Sequence, residues 1–179
     1  MSLKEQFKKI IMFDLMKSLG LFNPMAVPMV SKVVINSGLG DALVDKTLID
    51  RMSQDISMLS GQKPKVTRAR KDISNFNRLK KGDAIGLMVT LRGDRMWDFL
   101  DKFVSVTLPG IKDFRGLSRK SFDGSGNYSI GIKNHAVFLE VDQNRVDSPR
   151  GLQVVIHTTT SRDEDAYVLL KSLGFPFRD

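Results

Sequence analysis

Eight cations stand within twenty residues of this chain: Lys63, Lys65, Arg68, Arg70, Lys71, Arg78, Lys80 and Lys81, with Asp72 as the one acid among them. The same stretch holds the amides Gln62 and Asn75 and an aromatic ring, Phe76; Arg92 and Thr90 follow on the next apolar run. Cations neutralise phosphates, planar rings stack on bases, and amides and hydroxyls reach base edges and 2′-hydroxyls. The bland reading of the charge run is a solvated face, and that of Phe76 a core anchor. All three side-chain types occurring together favours binding.

Other chemistries fit less well. Gly38-Leu39-Gly40 follows an apolar run, but a dinucleotide fingerprint needs a third glycine where Leu43 stands, and no Walker lysine motif exists. Asp123, near Ser121 and Ser125, invites a hydrolase reading with His135 or His157 as base, yet no nucleophile-elbow pattern surrounds any serine. Asp123-Gly124-Ser125-Gly126-Asn127 is good turn chemistry in its own right. The absence of cysteine excludes disulfides, thiolate nucleophiles and cysteine metal sites, and two histidines make a poor metal cage. No cofactor is expected, and enzyme is the weaker class.

The elements that must position these residues follow from periodicity. Ser2 with Glu5 marks a helix start, with Phe7, Ile10, Ile11 and Leu15 recurring until Gly20. An extended run covers Val33-Val34-Ile35. A second helix begins near Lys46, with Leu48, Met52, Ile56 and Leu59 on one face and Gly61 as its stop. A short strand near Lys65–Ala69 leads into the basic loop. Ile85, Leu87, Val89 and Leu91 then alternate, so Met88 and Thr90 should face outward. Met96, Phe99, Leu100 and Phe103 mark a third helix ended by Pro109, and Gly110 to Asn127 reads as a long loop. Further strands are expected at Tyr128–Ile132 and Leu152–Thr160. Ser161 with Glu164 predicts the start of a last helix, closed by Gly174 and Pro176. Interleaved helices and hairpin-like strands indicate an α+β fold, and 179 residues suit a single domain, 1–179.

Net charge is +8 over the chain, and residues 62–81 contribute +7 of it, whereas residues 139–179 sum to −2. A polyanionic partner is implied on one side. No secretory or transit pattern and no membrane-length apolar run occurs, so a cytoplasmic setting is expected, with an organelle still open.

Several separated blocks resemble one family. Asn23-Pro24-Met25 with Val27-Pro28, Ser60-Gly61-Gln62-Lys63-Pro64, Val89-Thr90-Leu91-Arg92-Gly93 and Asp113-Phe114-Arg115-Gly116-Leu117-Ser118 look like the bacterial large-subunit ribosomal protein that binds 5S rRNA, ribosomal protein L five. Lys120-Ser121-Phe122-Asp123-Gly124, Gly126-Asn127-Tyr128-Ser129 and Gly174-Phe175-Pro176-Phe177 agree in order. The resemblance implies an antiparallel sheet with helices on one face and a concave face meeting RNA. It also implies a place in the central protuberance beside large-subunit rRNA. The family's RNA contacts fall on Asn36, Gln62, Phe76 and Thr90; Lys63, Lys65, Arg68 and Arg92 are expected from their charge to neutralise phosphates beside them. The loop Arg70–Lys81, including Arg70, Lys71, Asn75, Arg78, Lys80 and Lys81, is implied to reach peptidyl-site tRNA. His135–Gly151 is implied to face a small-subunit head protein.

The chain departs from the family pattern in places. The basic loop is one residue longer than usual, and Asp72 stands where serine is common. Leu139 replaces a proline, Gln143 a tyrosine, and Asn75 and Asn77 replace small and basic residues. Two rivals share parts of this evidence: an RNA-processing enzyme using Asp123 with a histidine, and a free-standing nucleic-acid-binding regulator.

Overall fold

In a computed structural model, which describes residues 1–73, 79–112, 114–142 and 148–178, the apolar periodicities become five strands and a set of helices. The strands are β1 (Val30–Gly38), β2 (Lys65–Arg68), β3 (Ala84–Leu91), β4 (Tyr128–Ile132) and β5 (Leu152–Thr158). They form one sheet in the order β2-β3-β1-β5-β4. β2 and β3 pair antiparallel, with Lys65 opposite Met88, Val66 opposite Leu87 and Thr67 opposite Gly86 before an irregularity at Arg68. On β1 and β5, the Thr159 amide donates to the Met29 carbonyl while Ser37 Oγ donates to the Gly151 carbonyl, so these two also run in opposite directions. The α+β expectation is met.

The helices are α1 (Leu3–Gln6), which runs through a π turn at Phe7–Ile11 into α2 (Met12–Leu19), then α3 (Thr47–Ser60), α4 (Gly93–Lys102), α5 (Leu108–Gly110) and α6 (Asp163–Ser172). Three local expectations hold. Ser2 Oγ accepts the Glu5 amide, Gly20 closes α2 at φ 64°, and Gly61 closes α3 at φ 65°. Only glycine takes that left-handed conformation without strain.

Two helix boundaries differ from the sequence reading. Pro109 does not end the third helix. The helical run passes through a π turn at Phe103–Thr107 into the short α5, where Pro109 is the second residue, and ends one residue later at Gly110. The final helix is not capped by Ser161. It starts at Asp163 with Arg162 at the N-cap position, and the hydroxyl at work is that of Thr160, which accepts the Arg162 amide. At α3 the cap comes from Asp45, whose carboxylate accepts the Thr47 amide at 2.9 Å and hydroxyl at 2.7 Å. Those two bonds hold the Asp45 carboxyl below its ordinary range.

The chain divides into two compact units. One comprises residues 1–33, 92–130 and 155–179, the other residues 34–91 and 131–154. The core of the first contains Leu15, Leu100, Phe103, Leu169 and Phe175, with Phe7 packed on Trp97 at 5.3 Å between ring centroids. In the second, α3 packs against β3, burying Met52, Ile56 and Leu59 with Ile35, Leu87, Val89 and Leu91. Burial of roughly 1.5–3 kcal/mol per large apolar side chain is what holds α3 to these strands.

Candidate nucleic-acid interface

Alternation decides which side chains remain available in the second unit. Ile35 and Ser37 of β1 and Leu87, Val89 and Leu91 of β3 are buried. Val34, Asn36, Met88 and Thr90 therefore occupy the other face and are all partly exposed. Lys65 stands opposite Met88 and is exposed, so it joins this face from β2, and Thr67 does the same opposite Gly86. The outward placement of Met88 and Thr90 agrees with the sequence reading.

Gln62 reaches the same strand from the end of α3. Ser60 Oγ donates to the Ile56 and Gln62 carbonyls and accepts the Gln62 amide, which fixes the backbone just beyond Gly61. From there Gln62 Nε2 donates to the Thr90 carbonyl at 3.4 Å. Two residues separated by 28 positions are thereby joined, with Asn36 on the neighbouring strand. Lys63 and Lys65 are exposed beside them, and neither makes an ion pair among the described residues. Pro64 between them is buried. Close strand approach depends on Gly86, where an added Cβ would lie 2.7 Å from the Ser37 carbonyl and 2.8 Å from Thr67 Oγ1.

The basic loop begins as a continuation of the β2–β3 hairpin. The Ala69 amide donates to the Asp83 carbonyl, the Gly82 amide to the Ala69 carbonyl, and Ile73 bridges to Leu79. Two acids cap its base. Asp83 accepts the Lys80 amide at 2.8 Å, and Asp72 accepts the Lys81 amide at 2.5 Å. The acid at position 72, unusual against the resembled family, thus has a local structural role. Arg68 donates to the Gly82 carbonyl at 2.9 Å, so part of its guanidinium is committed to the ribbon. Arg70, Lys71, Lys80 and Lys81 are exposed. Asn75, Phe76, Asn77 and Arg78 lie outside the described residues, as do Asp113 and Gln143. Arg92 belongs to the first unit, where it is exposed at the start of α4.

His135 is a buried structural residue. Its Nδ1 lies 3.2 Å from the Arg150 amide nitrogen and its Nε2 3.5 Å from Asp55. Arg150 also pairs with Asp41. This clasp closes the 134–151 segment, on which Phe138 and Val141 are buried and Leu139 is 77% exposed. Asp123 accepts the amides of Ser125 and Asn127 and the Asn127 side chain, and these bonds lower its pKa. It is a turn carboxylate, as its sequence context suggested. Among the described residues no cluster could hold a metal ion.

Similarity to known proteins follows the same segments. Residues 23–77 match the family model of ribosomal protein L5, and residues 84–177 match the model of that ribosomal family's C-terminus. The chain belongs to the ribosomal protein L5 family. It is 51% identical to a large ribosomal subunit protein uL5 of Herpetosiphon aurantiacus, over 99% of this chain and 98% of that one. With the protein of the same name from Thermus aquaticus the identity is 49%, over 99% and 97%. Members of this family are structural, non-enzymatic ribosomal proteins, which removes the RNA-processing enzyme from consideration.

Several residues of the family motifs outside the sheet face are architectural. Leu117 pairs with Phe177, the Leu117 amide donates to the Pro176 carbonyl, and the Arg178 amide donates back to Leu117. Phe122, Tyr128, Tyr167 and Phe177 pack as one aromatic group, with centroid separations from 4.6 to 6.3 Å. Sequence reasoning missed Thr67 as an open-face residue. The signal was present in its offset of two from Lys65 on a strand.

Proposed function

We infer that the chain is a structural constituent of the large ribosomal subunit, as its relatives are named, and that it docks 5S rRNA through the open sheet face of its second unit. Asn36, Gln62 and Thr90 supply hydrogen bonding and shape, and Lys63 and Lys65 neutralise phosphates on that face. Arg68, on the α3 side of β2, and Arg92, in the first unit, are phosphate partners away from it. Phe76 contributes a ring to the same RNA. The observation that carries this reading is the Gln62–Thr90 contact beside unpaired lysines, on a sheet face opposite the one that α3 covers. Hydrogen-bonding groups held rigidly within a cationic surround are what recognition of a structured RNA requires.

Two further contacts belong to the same proposal. Exposed Arg70, Lys71, Lys80 and Lys81 on a hydrogen-bonded ribbon suit a reach toward the backbone of peptidyl-site tRNA, to which Asn75 and Arg78 of the same loop sequence also belong as candidates. The His135–Gly151 region, where His135 bonds Arg150 and Leu139 is exposed, suits a protein neighbour in the small-subunit head. Large-subunit rRNA then lies around the remaining basic surface.

Filter binding of 5S rRNA at several salt concentrations tests the central claim. With about five phosphates paired, log affinity should fall against log salt with a slope of roughly −3.5 to −4.5. Equal affinity for an unrelated structured RNA of the same length would overturn it.

A further inference from the structure

Counted along the chain, the last forty residues are acidic, but three of their carboxylates are engaged around the start of α6. Asp163 accepts the Gly124 and Gly126 amides at 3.0 and 2.8 Å, Asp165 accepts Thr160 Oγ1, and Glu164 pairs with Arg162. Five cations of the same unit stand apart from those contacts. Arg119 lies over the Tyr167 ring, its Cζ 4.3 Å from the centroid, and donates to the Tyr167 hydroxyl at 2.6 Å. Lys171 approaches the same ring at 5.8 Å. Arg178 donates to Ser118 Oγ at 3.3 Å, and Arg115 and Lys120 bracket this seam along the chain. All five are exposed, and none makes an ion pair among the described residues.

We propose that Arg115, Arg119, Lys120, Lys171 and Arg178 form a second RNA-binding surface, which takes the phosphate backbone of a structured RNA segment other than the one held by the sheet face. Arg119 is pre-organised by stacking on Tyr167, so little side-chain freedom is lost when it binds. An acidic protein would need an apolar or aromatic anchor at the centre of such a patch. Tyr167 cannot serve as one, because Arg119 covers its face and Phe177 packs against it at 4.9 Å. Phosphates need only the cations. The proposal rests on the family's work with RNA and is independent of which RNA the sheet face holds.

The test compares the full chain with a triple variant, Arg115→Gln/Lys120→Gln/Lys171→Gln, which spares the hydrogen bonds of Arg119 and Arg178. Transcribed 5S rRNA and transcribed large-subunit rRNA serve as separate probes, with poly-glutamate as the protein-like polyanion. The slope of log affinity against log salt should become shallower by about two to three on at least one RNA, at roughly 0.7–0.9 per phosphate contact. A sheet-face variant, Thr90→Val, should instead lower 5S affinity with an unchanged slope. Unchanged slopes on both RNAs overturn the proposal, as does loss of poly-glutamate binding alone. If 5S specificity fails in the parent chain while the triple variant still changes a slope, the sheet-face reading falls and the second surface stands. Should the triple variant fail to fold, Lys120→Gln alone must still shift the slope by roughly 0.7–0.9.

Discussion

Gln62 works in two directions. Its backbone is fixed by Ser60 at the end of α3, and its amide spans to the Thr90 carbonyl, so helix and sheet face are held in one arrangement. Gln62→Ala should reduce 5S rRNA affinity by about tenfold, on the order of 1.4 kcal/mol, with the salt slope unchanged. Lys65→Gln should do the reverse in filter binding, making the slope shallower by roughly 0.7–0.9 with a modest loss at low salt. Gln62 and Thr90 were legible from residue chemistry and alternation. Asn36 was not, because the apolar run ended at Ile35, and it entered only through family resemblance. The strand continues to Gly38 because Ser37 is buried with its hydroxyl bonded to Gly151, a partner 114 positions away. His157 offers a pH test. Burial, then the nearby Lys32 ammonium, push its pKa below the ordinary 6.5, with Asp123 opposing them. The unfolded chain therefore takes up the proton more readily, so stability is full above pH 6.5 and falls as pH drops beneath it. Urea midpoints should decline between about pH 7 and pH 5.5, and His157→Gln should reduce that decline.

Elements carry the site only while their spacing is kept, and Gly86 shows how narrow that spacing is. A methyl group there would press on the Ser37 carbonyl and on Thr67 Oγ1 together, forcing neighbours of β3 apart on both sides. Gly86→Ala should cost roughly 1–3 kcal/mol in urea unfolding, and should weaken 5S rRNA binding because Asn36, Thr90 and Lys65 sit on the strands it separates. The apolar periods found these strands and α3 directly. They placed the end of the third helix at Pro109, since a π turn leaves no mark in a sequence until the packing of Phe103 and Leu108 requires it. Ser161 is the expected cap of α6, but Arg162 holds the N-cap position without a side-chain bond to the helix, and the Thr160 hydroxyl accepts the Arg162 amide just ahead of it.

For the whole molecule, charge counted along the chain and charge presented in space are different quantities. The concentration between Gln62 and Lys81 survives folding: Arg70, Lys71, Lys80 and Lys81 stay exposed, and the nearby Asp72 and Asp83 accept backbone amides. At the other end the order reverses: Lys171 and Arg178, from a segment that sums to −2, join an exposed cationic seam while Asp163 accepts the Gly124 and Gly126 amides. Both readings lead to one measurement on the intact chain. If roughly four counterions are released when 5S rRNA binds, raising salt fourfold from about 50 to about 200 mM should weaken binding by two to three decades. Sheet-face substitutions such as Gln62→Ala should displace that line downward in parallel, because hydrogen bonds release no counterions. Substitutions of lysine should rotate it, so that parent and variant converge at high salt. A parallel shift on losing Lys63 and Lys65 together would mean that neither touches phosphate. The electrostatic part of the docking would then have to come from the ribbon and the second unit's other cations.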